Sequence, residues 1–149
     1  MGFDSQGTVT NHTEYGHPSW EQIVDMSTKV LTFLDIGGHE KYTTKVMSSL
    51  CSFYPDYALI VISGTSKVTS VAEQHLKLAC IFEMPITIVV THVDLMTEGE
   101  IYNLKSEIER AVREFSEDRY LVVANSEEDN VILSRTLKEK LVIPVFMVV

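Results

Sequence analysis

The sequence predicts an α/β fold in which amphipathic helices cover both faces of a mainly parallel, doubly wound sheet. Three apolar runs carry this prediction, because none of them alternates polar with apolar positions as a half-exposed strand does. They are KVLTFLD (29–35), YALIVIS (57–63) and ITIVVT (86–91). Helical patterns separate the runs, and strands that alternate with helices are typical of parallel sheets.

The elements before the second run can be predicted in order. Residues 1–18 are rich in Gly, Ser, Thr, Asn and His, which predicts a loop with at most a short strand. A short helix then begins at Ser19, which forms a capping-box pattern with Gln22. After the first apolar run, residues 39–49 are polar and are expected to be helical in their second half.

The second half of the chain continues the alternation. Residues 69–83 place apolar side chains at helical spacing. Another helix is expected after Thr97, which forms a second capping-box pattern with Glu100. Residues 120–124 and 142–149 are two more apolar strands, and the polar insert between them is expected to be partly helical.

Composition predicts one domain over residues 1–149, with a loop-rich lead-in (1–26) and an α/β core (27–149). The net charge of −9, without a cluster of Lys and Arg, argues against non-specific nucleic-acid binding. No apolar run is long enough to span a bilayer and the first residues are polar, so we expect no membrane partner and a cytoplasmic location. Cys51 and Cys80 lie among apolar neighbours, which predicts buried free thiols.

The first candidate site is DIGGHE (35–40), where a predicted buried strand ends. In open α/β sheets, ligands bind at the carboxyl ends of strands. Asp35 could hold a hydrated Mg²⁺ ion through water, and the following glycines allow backbone to approach a phosphate, with Gly38 as an N–H donor. An Asp that caps a turn made by two glycines explains the hexapeptide equally well.

The second candidate site is THVD (91–94), directly after the run 86–91. The carboxylate of Asp94 could accept two hydrogen bonds from N1 and N2 of guanine, which adenine cannot supply. Taken alone, Asp94 is better explained as the start of the loop towards Thr97. The two motifs in this order, with one strand and one helix between them, favour a nucleotide site.

DIGGHEKY and THVDL resemble the DxxGHE and [NT]KxD motifs of translational GTPases, the elongation factor Tu-like superfamily. GFDSQGTVTN, STKVLTFLDIGGHEKY and AEQHLKLA are similar to the subgroup of GTP-binding proteins 1 and 2. The similarity extends across essentially the whole chain and is loose after about Phe115. It implies a P-loop GTPase-like fold that binds GTP or GDP with Mg²⁺.

The resemblance implies roles at the phosphate end of a nucleotide. Asp35 would contact Mg²⁺ through water, and the backbone N–H of Gly38 would donate to the γ-phosphate. His39 would orient the attacking water, by analogy with the glutamine of other GTPases. Residues 39–50 would form the second switch, a segment whose order depends on the phosphate.

At the base end, the resemblance implies that Asp94 reads guanine and that Thr91 supports its loop. His92 stands where the family has a lysine that lies along the guanine plane, and an imidazole contributes less cation–π attraction there. Gln74 stands where the subgroup usually has Glu. The carboxylates of Asp35 and Asp94 are expected to address opposite ends of one nucleotide.

The sequence also departs from the family pattern. It has no G-x-x-x-x-G-K-[ST] phosphate loop, and it stops at IPVFMVV, where the family would continue into its last guanine-contacting loop. The family's first, central strand is missing too. That strand would lie between the runs 29–35 and 57–63, so we expect unpaired edges on both and a chain that is poorly stable or associates.

Two classes of function follow. The leading hypothesis is a GTP-hydrolysing switch domain whose partners are the guanine nucleotide, the remaining domains of a parent protein and, by family analogy only, the ribosome or RNA machinery. This stretch alone is expected to bind GTP weakly or not at all. The alternative is a degenerate GTPase fold that serves as a non-catalytic interaction module. An unrelated doubly wound domain, flavodoxin-like or receiver-like, is a further alternative.

Overall fold

The computed structural model describes residues 1–11, 16, 18–66, 68–136 and 138–149. Part of the predicted leading loop, residues 12–15 and 17, lies outside the described residues. The chain divides into two compact units, Met1–Ile36 and Gly37–Val149.

The described part of the first unit contains a two-stranded sheet and one helix. Strands β1 (Gly2–Phe3) and β2 (Lys29–Val30) pair in antiparallel orientation, and helix α1 spans Trp20–Met26. The predicted capping box is confirmed. The Gln22 amide donates to Ser19 Oγ at 3.3 Å, and Gln22 Oε1 accepts from the Ser19 amide at 2.9 Å. These bonds satisfy amide groups that an uncapped helix start leaves unpaired.

The predicted buried strand over residues 29–35 is wrong. Only Lys29–Val30 is a strand, both residues are exposed, and the residues that follow have no regular structure. The Phe33 side chain is 66% exposed. A strand requires backbone partners. β1 pairs with Lys29–Val30 and Met1 exchanges two backbone hydrogen bonds with Leu31, after which no described residue bonds to the backbone of this run. Apolar, β-branched composition favours an extended chain but does not supply the partner strand.

The second unit contains a four-stranded parallel sheet and four helices of at least two turns. Its elements are a single helical turn (Glu40–Tyr42), α2 (Thr43–Phe53), β3 (Ala58–Ser63), α3 (Ser70–Ile81), β4 (Ile86–Thr91), a second turn (Val93–Leu95), α4 (Glu98–Phe115), β5 (Tyr120–Val123), α5 (Glu127–Arg135) and β6 (Val142–Met147). The strand order is β3-β4-β6-β5, with every neighbouring pair parallel. The predicted α/β class and parallel sheet are confirmed.

The core of this unit forms where α3 and α4 pack with the sheet. Leu76 of α3 and Ile108 of α4 are almost fully buried, as are Ile88, Val90 and Ile143 in the central strands. Both helices therefore bury the apolar stripe that their sequence spacing predicts. No helix among the described residues is long and apolar enough to cross a membrane.

The expectation of complete burial fails for one face of β3. Ile60 and Ile62 are buried, whereas Leu59 is 56% exposed and Val61 is 60% exposed. β3 lies at the edge of the four-stranded sheet, and among the described residues it has a neighbouring strand on one side only. Leu59 and Val61 share the face of β3 that the described helices leave uncovered, whereas Ile60 and Ile62 lie on the packed face.

The two cysteines are free, but the prediction that both are buried is wrong. Cys51 is exposed on α2, and Cys80 of α3 is half-buried. Burial raises the pKa of the Cys80 thiol, and the nearby Arg119 guanidinium offsets part of this effect. Arg119 is itself buried and donates from Nη1 to the carbonyl of Met84 at 3.0 Å.

Candidate functional site

The loop that follows β4 is fixed at the carboxyl edge of the sheet by hydrogen bonds to both neighbouring strands. On one side, the Gly64 amide donates to the Thr91 carbonyl at 2.8 Å. On the other side, the Val148 amide donates to the Val90 carbonyl at 2.9 Å, and the Val93 amide donates to the Val148 carbonyl at 3.4 Å. The backbone that presents the predicted base-reading residues is therefore held from both sides.

His92 sets the turn of this loop. Its backbone is left-handed, with φ 60° and ψ 37°, a conformation that is uncommon outside glycine, although Asn, Asp and His adopt it more often than other residues. Its Nδ1 lies 3.0 Å from Thr91 Oγ1, within hydrogen-bond distance. Thr91 therefore supports the loop through its carbonyl and contacts His92 through its hydroxyl, and the His92 ring is held at the solvent-exposed end of the strand.

Asp94 follows in the single turn Val93–Leu95 and is exposed. Its carboxylate accepts no hydrogen bond from the residues that the structure describes. An ionised carboxylate has acceptor capacity for a pair of donors. The loop therefore places an unused double acceptor at the carboxyl end of a central parallel strand, which is where ligands bind in such sheets.

Packing requires glycine at only one of the two adjacent glycine positions of the DIGGHE motif. A Cβ added at Gly37 would lie 2.8 Å from Cδ2 of the Tyr42 ring, so packing within the segment requires glycine there. A Cβ added at Gly38 would meet nothing within 4 Å. The fold itself does not require glycine at position 38, and the free space is compatible with a ligand approaching the backbone.

His39 caps the single helical turn Glu40–Tyr42. Its Nδ1 accepts a hydrogen bond from the Lys41 amide at 3.3 Å, and its ring meets the Tyr42 ring edge-on with centroids 6.4 Å apart. A neutral imidazole whose Nδ1 accepts carries its proton on Nε2. In this conformation exposed His39 offers an N–H donor, which can hold a water molecule through the water oxygen.

Asp35 lies in the first unit and is exposed, whereas the other predicted site residues lie in the second. Among the residues that the structure describes, no group of three or more His, Cys, Asp or Glu side chains could hold a metal ion.

The structure also shows side-chain contacts to which the sequence assigned no role. Ser70 at the start of α3 is hydrogen-bonded to Glu40, and Gln74 one turn later contacts Thr43. Each pair is separated by about thirty residues in sequence. No local spacing rule connects such pairs, so only the packing of α3 beside the His39 turn shows them.

Comparison with known proteins identifies the family. The family model of the elongation factor Tu GTP-binding domain matches residues 7–148. GTP-binding protein 2 of Mus musculus is 31% identical over 131 residues, which are 88% of this chain and 21% of that protein. GTP-binding protein 2 of Homo sapiens is 30% identical over the same shares, and GTP-binding protein 1 of Xenopus laevis is 23% identical over 99% of this chain and 23% of its own length.

The chain thus spans about a fifth of the length of the curated relatives that it matches. No solved structure gives a significant match. The family match covers nearly the whole chain and includes both the DIGGHE segment and the loop after β4. The parallel sheet, with that loop at its carboxyl edge, agrees with a GTPase-type domain. The chain therefore belongs to the elongation factor Tu GTP-binding domain family.

Proposed function

We propose that this chain forms part of a GTP-hydrolysing switch domain and that its loop after β4 reads guanine. The observation that carries the proposal is the exposed, unused carboxylate of Asp94 on a loop that Gly64 and Val148 hold from both sides. Guanine presents two donors, N1–H and the N2 amino group, to such a carboxylate. Adenine has no N1–H and no amino group at position 2, so it would leave the carboxylate unsatisfied.

The proposed reaction is attack of water on the γ-phosphorus of GTP. The water oxygen forms a bond to phosphorus while the bond to the oxygen that bridges the β- and γ-phosphates breaks, giving GDP and inorganic phosphate. The Nε2–H of His39 would donate to the oxygen of the attacking water and orient it, and the N–H of Gly38 would donate to a γ-phosphate oxygen. Both roles come from the family resemblance and are compatible with the local geometry.

Mg²⁺ is the proposed cofactor, and Asp35 is the residue that would hold it, through a bound water. When bound, the ion would neutralise negative charge on the phosphates. The chain itself offers one carboxylate for this purpose, so the affinity for Mg²⁺ would depend on the nucleotide that supplies the other oxygens.

We further propose that this chain by itself binds GTP weakly, because it has no phosphate-loop motif. The backbone cradle and lysine of that loop carry most of the phosphate affinity in such domains. The competing function is a non-catalytic interaction module, which is favoured by His92 at the position of the family lysine. The two functions differ in whether guanine is recognised at all.

The test is an NMR titration of the whole chain with GMP, GDP and GTP, with and without Mg²⁺, and with AMP and ATP as matched ligands. We expect a guanine-selective response around the loop after β4, with a Kd of order ~1 mM, which corresponds to about −4 kcal/mol. Adenine nucleotides should leave these resonances unmoved. Equal responses to guanine and adenine nucleotides, or none to either, would favour the interaction module.

Asp94→Asn sharpens the test, because an amide offers one donor and one acceptor instead of two acceptors. The variant should lose its response to GMP and gain one to xanthosine monophosphate, whose base presents one donor and one acceptor at the same positions. Asp118→Asn, at an exposed carboxylate before β5, is the matched control and should behave as the unmodified chain. A response to GMP that survives Asp94→Asn would contradict the proposed role of Asp94.

A further inference from the structure

The turn that contains His39 is attached to the start of α3. Ser70 Oγ donates a hydrogen bond to Glu40 Oε1 at 3.1 Å. Ser70 is the first residue of α3, and the amino end of a helix carries partial positive charge from its unpaired N–H groups. The Glu40 carboxylate therefore receives a direct hydrogen bond at a helix end that favours negative charge.

A second contact lies one helical turn further along α3. Thr43 Oγ1 donates to the Glu40 carbonyl oxygen at 2.7 Å and lies 3.4 Å from Gln74 Oε1, a second acceptor. The Thr43 hydroxyl has one proton, which these two oxygens share. The closer bond to Glu40 is the stronger one, and Gln74 adds a longer, weaker contact that joins Thr43 to α3.

Ser70 and Gln74 are four residues apart and therefore lie on the same face of α3. Their partners are Glu40, the first residue of the turn that His39 caps, and Thr43, the residue that follows the turn. We propose that Ser70 and Gln74 are positioning residues that form a latch, defined as the pairs Ser70–Glu40 and Gln74–Thr43. The latch fixes the turn and, through it, the direction of the His39 imidazole.

The functional meaning of the latch rests on the proposed function, in which residues 39–50 are the second switch. Both contacts are solvent-exposed hydrogen bonds. Such bonds contribute modestly to stability, so the latch can open without unfolding the sheet. A closed latch presents the His39 Nε2–H in one direction, and an open latch frees the turn. Nothing in this arrangement requires bound nucleotide, so the latch can be tested without one.

The experiment is hydrogen–deuterium exchange on the full chain without nucleotide, read at residues 40–46. Ser70→Ala removes the donor to Glu40, and Gln74→Ala removes the acceptor that faces Thr43. Each variant should speed exchange of the Tyr42 amide, which is bonded to the His39 carbonyl, by about two- to tenfold. Exchange in β4 and β6 should stay unchanged.

Matched controls separate the latch from general effects. Lys77→Ala truncates another exposed side chain of α3, about one turn away from the latch. Ser106→Ala removes an exposed serine hydroxyl from α4 that bonds only within its own helix. Neither control should alter exchange of the turn. Ser70→Thr keeps the hydroxyl and should restore the slow exchange that Ser70→Ala loses.

Unchanged exchange in both Ser70→Ala and Gln74→Ala would overturn the latch, and so would failure of Ser70→Thr to restore protection. Circular dichroism of each variant checks that the helices are intact. The outcome is independent of guanine recognition. If the chain does not respond to GMP but both variants exchange faster, the latch is supported and the proposed function is contradicted. If the chain responds to GMP but neither variant exchanges faster, the proposed function is supported and the latch is contradicted.

Discussion

The Gly64 amide donates a 2.8 Å hydrogen bond to the carbonyl of Thr91, and this bond joins the ends of β3 and β4 at the residue where the candidate base-reading loop begins. The two backbones approach so closely that a Cβ on Gly64 would lie 2.8 Å from the Thr91 carbonyl oxygen and 2.3 Å from Met96 Sδ. The side chain of Met96 can rotate away, but the carbonyl cannot. Glycine at position 64 is therefore required by the packing of the loop.

Gly64→Ala should accordingly destabilise the chain by about 1–3 kcal/mol, because the added methyl group forces the two strand ends apart. The measurement is the free energy of unfolding in urea. Gly99→Ala is the matched control, since its Cβ meets nothing within 4 Å and it lies in α4. There alanine should stabilise by up to about 1 kcal/mol through its helix propensity. Equal stability of the two variants would contradict the close approach.

The two adjacent glycines of the DIGGHE segment are expected to differ in how alanine affects stability. Gly38→Ala should change the free energy of unfolding by less than about 0.5 kcal/mol, because the position is open, yet should weaken GTP binding relative to GMP by blocking approach of the last phosphate. Gly37→Ala should destabilise the Tyr42 turn. Titration of both variants with GMP and GTP tests this pair. If Gly38→Ala leaves the ratio of the two Kd values unchanged, position 38 does not contact the γ-phosphate.

Sequence patterns predicted most elements of the second unit, because their information is local. Neighbouring residues alone were enough to predict three elements. The spacing of apolar residues predicted α3 and α4, the capping box at Thr97 predicted where α4 begins, and the run 86–91 predicted β4. The prediction of a strand over residues 29–35 was wrong because a strand also needs a partner strand at the right place, which composition does not encode.

For the candidate site, too, local sequence patterns could predict some features and not others. Motif spacing predicted that Asp94 follows a buried strand, and the structure places it at the carboxyl edge of the parallel sheet, while its role in binding stays a prediction. The left-handed backbone of His92 and the contact between Ser70 and Glu40 could not be predicted. The first depends on how the loop is tied to two other strands, and the second on how α3 packs against a turn thirty residues earlier.

The cap of α4 predicts a pH-dependent contribution to stability. Hydrogen bonds from the Thr97 amide and hydroxyl, both 2.7 Å long, lower the pKa of Glu100 below its usual value near 4.5. A carboxyl whose folded pKa is lowered stabilises the fold above its unfolded pKa, and the contribution is lost as pH falls through the folded pKa. Thr97→Ala should cost about 1 kcal/mol at pH 7 through loss of the cap.

The difference between the parent chain and Thr97→Ala should therefore shrink as the pH falls from 7 to below the folded pKa of Glu100. Urea unfolding of both proteins over this range measures it. Glu98→Gln is the control, since Glu98 lies in the same helical turn but accepts no hydrogen bond from Thr97. The difference in unfolding free energy between Glu98→Gln and the parent chain should not follow the pH dependence seen for Thr97→Ala. A constant difference across the range would show that the bond between the Thr97 hydroxyl and the Glu100 carboxylate does not contribute to stability.

The outer edge of β3 predicts that the chain associates. β3 has no charged residue, no proline and no strand on its outer side within the four-stranded sheet, and Leu59 and Val61 are more than half exposed on one face. Natural edge strands avoid this combination because it allows pairing with other chains. Val61→Lys should reduce association in sedimentation velocity measurements, whereas Val131→Lys, at an equally exposed valine of α5, should not. A parent chain that stays monomeric and melts sharply and reversibly would contradict this prediction, because an unprotected edge would then have no measurable consequence.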